Sequence, residues 1–154
     1  MIVVSDTTAL TTLIKSGFED VLPRLFGQIL IPSAVSRELL MFHPTLPEWC
    51  VVREATASPL LERLRLAVDP GEAEAIALAH EFQAEVVLLD DKKGRRQAES
   101  IGLTCLALPA VLVIAKRMGL IPSLTEAFET LASRGRYRVA DRTAIVLLRA
   151  VGEA

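Results

Sequence analysis

Cysteine is almost absent from this chain. Cys50 and Cys105 are the only two, 55 positions apart and in no C-x-x-C pair, so neither a disulfide framework nor a thiolate metal site is expected. With no signal peptide evident, both thiols should be reduced and packed, and the protein cytoplasmic. Histidine is equally scarce: His43 and His80 stand alone, at no metal-ligand spacing. No uninterrupted apolar run reaches the roughly 18 residues of a membrane span. The longest, Leu106 to Ala115, is broken by Pro109 and stopped by Lys116-Arg117, so no membrane partner is expected. Aromatics make up 5% of the residues, which leaves the core to Leu, Val, Ile and Ala. An excess of positive charge is missing too. The net charge of −2 argues against a uniformly basic nucleic-acid binder, although an acidic pocket and a basic groove would nearly cancel in that sum.

What is present is one domain, residues 1–154, in which short β-branched runs alternate with helical periodicity. Strands are expected at Ile2–Val4, Gln28–Ile31, Val51–Val52 (an edge), Val86–Leu89 and Leu103–Leu106. Between them the spacing predicts helices at Ala9–Lys15, Glu19–Phe26, Ala34–Met41 with Ser33 as cap, Leu60–Leu66, Asp69–Phe82, Lys93–Ile101 and Ala110–Met118. Two more, Ser123–Ser133 and Arg142–Val151, occupy the C-terminal stretch 121–154, where they either complete the core or form a dimer surface. Right-handed crossovers place helices on both faces of such a sheet, so the expected fold is α/β, a three-layer α/β/α sandwich with a mostly parallel centre.

Acids recur where the strands end. Asp6 follows the first strand, and Asp90-Asp91 follow the fourth; in open parallel sheets this carboxyl edge is where ligands sit. Glu38 lies one to two turns into the helix after the second strand, and Glu72 and Glu74 open the helix before the fourth. Each has a plainer reading. Asp6 and Asp91 can cap helices, Glu38 can be a solvated helix residue, and Asp69-Pro70-Gly71-Glu72 forms a capping box with proline in the first turn. All these readings must hold together to remove the cluster.

Such a cluster does not stay ionised unaided. Two carboxylates about 4 Å apart repel by roughly 4 kcal/mol at an effective dielectric of 20, so a set of them protonates, splays or binds a cation. Oxygen-only ligation suits Mg²⁺ or Mn²⁺ and not Zn²⁺. The chemistry such sites support is phosphodiester hydrolysis of a nucleic acid.

Four segments in order carry a resemblance: Ser5-Asp6-Thr7; Ile31-Pro32-Ser33-Ala34-Val35-Ser36-Arg37-Glu38-Leu39; Gly71-Glu72-Ala73-Glu74-Ala75-Ile76-Ala77-Leu78-Ala79; and Leu88-Leu89-Asp90-Asp91-Lys92-Lys93-Gly94-Arg95. Together they resemble the PIN-domain family, in particular its small stand-alone prokaryotic members similar to VapC-type toxins, over about residues 1–120. The resemblance implies Mg²⁺- or Mn²⁺-dependent cleavage of single-stranded RNA by the toxin half of a toxin–antitoxin pair, with a small antitoxin protein as partner and a homodimer as assembly. It places the family's first acid on Asp6, the second on Glu38, the third on Glu72 or Glu74 and the fourth on Asp91 or Asp90, with Asp91 preferred. The chain departs from common toxin patterns in having glutamate at the third acid. It also departs in running on into Lys92-Lys93-Gly94-Arg95-Arg96 after the fourth.

Lys92, Lys93, Arg95 and Arg96 beside the acids are candidates for the phosphate backbone, or else a solvated helix face. Arg134, Arg136, Arg138 and Arg142 surround Gly135 and Tyr137 in a loop suited to RNA or an acidic partner. Trp49 and Tyr137 can stack on bases, with packing the plainer use of Trp49. Two other α/β classes fail on spacing. A response-regulator receiver carries adjacent acids after its first strand, where Ser5 precedes Asp6, and a haloacid-dehalogenase-type phosphatase needs aspartate at the place of Thr8. The non-enzymatic alternative is a catalytically silent PIN-like scaffold for a small partner protein.

Overall fold

A computed structural model describes residues 1–154. Five short strands, β1 (Val3–Ser5), β2 (Ile29–Ile31), β3 (Cys50–Val52), β4 (Val86–Leu88) and β5 (Cys105–Leu106), form one sheet in the order β3-β2-β1-β4-β5. Every pairing is parallel, with Val4 opposite both Leu30 and Val87. The connections run outward from β1 to β2 and β3, then return across it to β4 and β5. The order therefore reverses between β1 and β4, and the crevice outside their carboxyl ends is the topological switch point where α/β sheets bind ligands.

Nine helices cover the sheet: α1 (Thr7–Lys15), α2 (Val21–Phe26), α3 (Ser33–Phe42), α4 (Pro59–Ala67), α5 (Pro70–Phe82), α6 (Lys92–Ser100), α7 (Leu108–Arg117), α8 (Leu124–Ser133) and α9 (Asp141–Ala150). Side chains alternate across a strand, and here the alternation divides the core. Val3, Ile29, Ile31 and Leu88 join a cluster of 22 buried residues with α1, α2, α3, α7 and α8. Val4, Val87 and Leu89 join 13 buried residues with α4, α5 and α6. This is the expected three-layer sandwich. Helix α5 is buried almost all round from Ala73 to Ala79, which its alanine-rich sequence permits because small side chains let neighbours approach closely.

Helix starts differ from expectation by a residue or two, each for a physical reason. Asp6 itself caps α1, its Oδ1 accepting the Ala9 N–H at 3.0 Å, so the helix begins at Thr7. Ser33 is the first helical residue of α3 and not its cap. Pro109 sits within the first turn of α7, where its missing N–H costs nothing. Cys50 and Cys105 are free and occupy the two edge strands, about 19 Å apart at the usual strand spacing, beyond disulfide reach.

The C-terminal helices complete the larger core. Ala144, Leu147, Leu148 and Val151 pack against it, while Ile145 and Val146 of α9 remain exposed. Glu153 ties the segment down. Its carboxylate accepts the N–H groups of Leu124 (2.7 Å) and Thr125 (2.9 Å) and the Thr125 hydroxyl, and faces Lys116. The first-turn donors of α8 are thereby satisfied, Ser123 taking the N–H of Glu126. The Thr125 and Leu124 N–H groups pull the Glu153 carboxyl down to about 2 from 4.5. A depressed carboxyl contributes stability that is complete above its unfolded value and disappears as pH falls through its folded one. Glu153→Ala should therefore lower the urea midpoint at pH 7, and the gap to wild type should close as pH drops from about 4.5 toward 2.

Candidate active site

The site begins with Asp6. A β-branched strand delivers it to the carboxyl edge, and the α1 cap fixes its rotamer, with the Ala9 N–H donating to its carboxylate and the Asp90 N–H also acting to lower its pKa. It is only 2% exposed. Burial is the largest influence on its acidity, and with the charges of Asp90 and Asp69 it outweighs those hydrogen bonds, pushing the carboxyl up to about 7 from 3.8.

Asp6, Thr7, Thr8, Glu38, Asp69 and Glu72 line a cleft of about 20 Å³ with no hydrophobic wall. That is room for one water molecule or ion. Two glycines make space for the glutamates. A Cβ on Gly71 would lie 2.7 Å from Glu38 Oε1 and 3.5 Å from Thr7 Oγ1, and one on Gly94 would lie 3.2 Å from Glu72 Oε2. The Thr7 hydroxyl is buried without a hydrogen-bond partner. Glu72 is pushed up to about 8 from 4.5, first by burial, then by its hydrogen bond with the Asp69 carboxyl and the charges of Asp69, Asp91 and Asp6.

The other expected acids are placed differently. Asp91 stands beside Glu72, where its charge is felt, and caps α6 through Oδ2 to the Gly94 N–H at 3.0 Å. Asp90 turns aside: its Oδ1 accepts the Tyr137 hydroxyl at 2.7 Å and the Leu108 N–H at 3.3 Å. Glu74 is not brought into the cleft. It is buried, its Oε1 accepts the Ala34 N–H at 3.0 Å, and its Oε2 faces Arg65 at 3.8 Å. It supplies the cap that Pro32 and Ser33 do not, pinning α3, which carries Glu38. Asp69 and Thr8 were not anticipated in the cleft. The capping box accounts fully for Asp69, which does accept the Glu72 N–H, and a cap at a helix mouth beside Glu72 is the signal that was available.

A family model for the PIN domain, DUF3368, matches residues 2–153. The chain belongs to the PIN-domain family. No curated protein and no solved structure gives a significant match. PIN domains are in general nucleases and typically use divalent metals such as Mg²⁺ or Mn²⁺. In this PIN domain no group of three or more His, Cys, Asp or Glu side chains converges tightly enough to hold an ion. The donor chemistry nevertheless fits a hard cation: an all-oxygen cleft of ion size, an orphaned Thr7 hydroxyl and glycine cradles that leave both glutamates room. No helix is long and apolar enough to cross a membrane.

Of the basic residues, Lys92, Arg95 and Arg96 surround a 350 Å³ cavity with Glu99, and Lys93 is exposed outside it. Trp49 packs against the larger core.

Two outcomes follow. The folded PIN domain holds protons on Asp6 and Glu72 that the unfolded chain releases near 4, so without metal its stability should fall as pH rises from about 4 through 8. Mn²⁺ should reverse that trend at pH 8, and melting curves with and without the ion check both. Gly71→Ala should displace Glu38 and weaken Mn²⁺ binding about tenfold or more by calorimetry with the fold retained, the loss of roughly one good ligand contact.

Proposed function

We propose that this PIN domain is a metal-dependent endoribonuclease cleaving single-stranded RNA, the toxin half of a toxin–antitoxin pair. The observation that carries the nuclease reading is the buried, electrostatically frustrated Asp6 at the switch point, facing Glu38, Asp69 and Glu72 in an oxygen-lined cleft. A group held so far from its ordinary acidity marks a functional site when it lies in a cleft with charged partners.

Asp6, Glu38, Glu72 and Asp91 would hold Mg²⁺ or Mn²⁺, with Asp69 behind Glu72. When bound, the ion supplies positive charge that offsets the phosphate and makes water more acidic. The chain's own contribution is preorganisation. The α1 cap fixes Asp6, Glu74 anchors the start of α3 and so the position of Glu38, and burial together with Asp69 favours a proton on Glu72. Thr7 offers an unpartnered hydroxyl to a water or phosphate oxygen in the cleft. Lys92, Arg95 and Arg96 attract the RNA backbone from α6. A cytoplasmic homodimer with a small antitoxin bound completes the reading, and exposed Ile145 and Val146 on α9 suit such an apolar contact.

Asp6→Asn tests the mechanism. The amide keeps the α1 cap and removes the charge, so cleavage of a mixed single-stranded RNA in Mn²⁺ should fall at least about a thousandfold while the melting temperature holds or rises, as expected for loss of an essential charged group. A fully active Asp6→Asn protein would rule the mechanism out. Wild type that neither binds Mn²⁺ nor cleaves leaves the partner-binding scaffold.

A further inference from the structure

One residue away from the acid cleft lies a second, differently built cavity. It measures about 280 Å³ and is lined by Asp90, Lys92, Arg95, Pro109, Tyr137 and Arg138 among others. Ligand pockets run from about 300 Å³ upward, so this one lies at the lower end and has room for one nucleotide at most. Its ring is held in place: the Tyr137 hydroxyl donates to Asp90, its N–H donates to the Leu131 carbonyl, and its side chain packs against the larger core. Arg138 pairs with Asp141 at 3.0 Å, but the other two cations are short of partners. Arg95 Nε is buried without a hydrogen bond, and neither Lys92 nor Arg95 makes a salt bridge. Asp90 uses only Oδ1 within the chain, leaving Oδ2 as an acceptor.

We propose that this cavity is a subsite for one nucleotide flanking the scissile phosphate. The base stacks on Tyr137 beside Pro109, its phosphate is clamped by Lys92, Arg95 and Arg138, and Asp90 Oδ2 accepts from an exocyclic amino group. Adenine, cytosine and guanine carry that donor and uracil does not, so Asp90 discriminates against uridine, as carboxylates do when they read the cytosine amino group. An acidic peptide fits less well, because Asp90 on the wall repels a carboxylate that the outer cations attract. Lys92 and Arg95 line the neighbouring 350 Å³ cavity as well, so an RNA strand leaving the subsite continues along the cations of α6. The proposal rests on the RNA-cleaving reading for its ligand class but on none of the residues assigned to the metal.

The test is therefore made in EDTA, where cleavage plays no part. Amide NMR spectra of the full chain are titrated with 5′-CMP, 5′-AMP and 5′-UMP. The expected result is saturable shifts at residues 90–95 and 137–139, with CMP and AMP bound about tenfold more tightly than UMP, the worth of one charge-assisted hydrogen bond. Tyr137→Phe should retain CMP binding. Asp90→Asn should erase the preference over UMP, since an amide offers donor and acceptor alike. Arg95→Gln should weaken CMP while leaving cytidine unchanged, a readout independent of whether the ring variants fold. Overturning results are shifts that do not saturate, equal binding of UMP by wild type, or an unchanged preference in a folded Asp90→Asn protein. A chain that binds CMP as described yet cleaves no RNA with Mn²⁺ upholds the subsite and overturns the nuclease reading alone.

Discussion

The carboxyl edge of this sheet is organised around one buried carboxylate. Asp6 closes the central strand, caps α1 and is almost wholly buried. Burying an uncompensated anion is costly enough that the group moves toward neutrality instead, which is the state the surrounding chain imposes on Asp6 and Glu72 together. Nothing in the core requires an acid there: Ala9, Leu10 and Leu13 would anchor α1 with a serine cap. Packing alone therefore does not account for the cluster, whereas a bound cation, as in the function proposed, would offset its charge.

Around Asp6 the acids divide by task, and hydrogen bonds mark the division. Asp69 and Asp91 each satisfy a helix N-terminus with one oxygen and keep the other toward Glu72 or solvent. Glu74, two residues along from Glu72, spends its carboxylate on the orphan N–H of Ala34 and on Arg65. Its effect on the cleft passes through α3 alone. Glu38 reaches the cleft because residue 71 has no side chain. Sequence spacing places Glu72 and Glu74 together. A two-residue step on a helix, about 200° around the axis, sends them to opposite neighbours.

That division shows what was legible before any coordinates. Ile2–Val4 and Val86–Leu89 announce themselves as strands by β-branched and aliphatic runs, and a parallel sheet then requires Asp6 and Asp90-Asp91 to share an edge. Helix lengths follow from caps and glycines. What a linear pattern does not carry is the partner of a capping group. Ser33 looks like the cap of α3 until a glutamate 40 positions from Ala34 takes the role, and Asp69 looks fully used by its own helix. The Tyr137–Asp90 bond spans 47 positions and joins an arginine-rich loop, whose tyrosine the sequence offers only as a base-stacking candidate, to the end of β4. Long-range polar pairs have no periodicity, so they surface only with the fold.

The doublet Asp90-Asp91 brings these threads together. Along β4 the side chains alternate between the two cores, Leu88 into the larger and Leu89 into the smaller. The alternation continues past the strand. Asp90 turns to the side of the larger core, toward Tyr137 and Leu108, and Asp91 to the other, toward Gly94 and Glu72. Two like charges adjacent in sequence are thus kept apart by the pleat, each entering a different environment. One borders an ion-sized acidic cleft and the other a nucleotide-sized cavity rimmed by Lys92, Arg95 and Arg138. The near-neutral net charge of −2 hides this juxtaposition of acid and base, the field that the proposed ribonuclease would require: cations to draw a strand in, beside carboxylates suited to a metal. A single-residue insertion after Leu89 would exchange the two faces and part Asp90 from Tyr137 and Asp91 from Gly94.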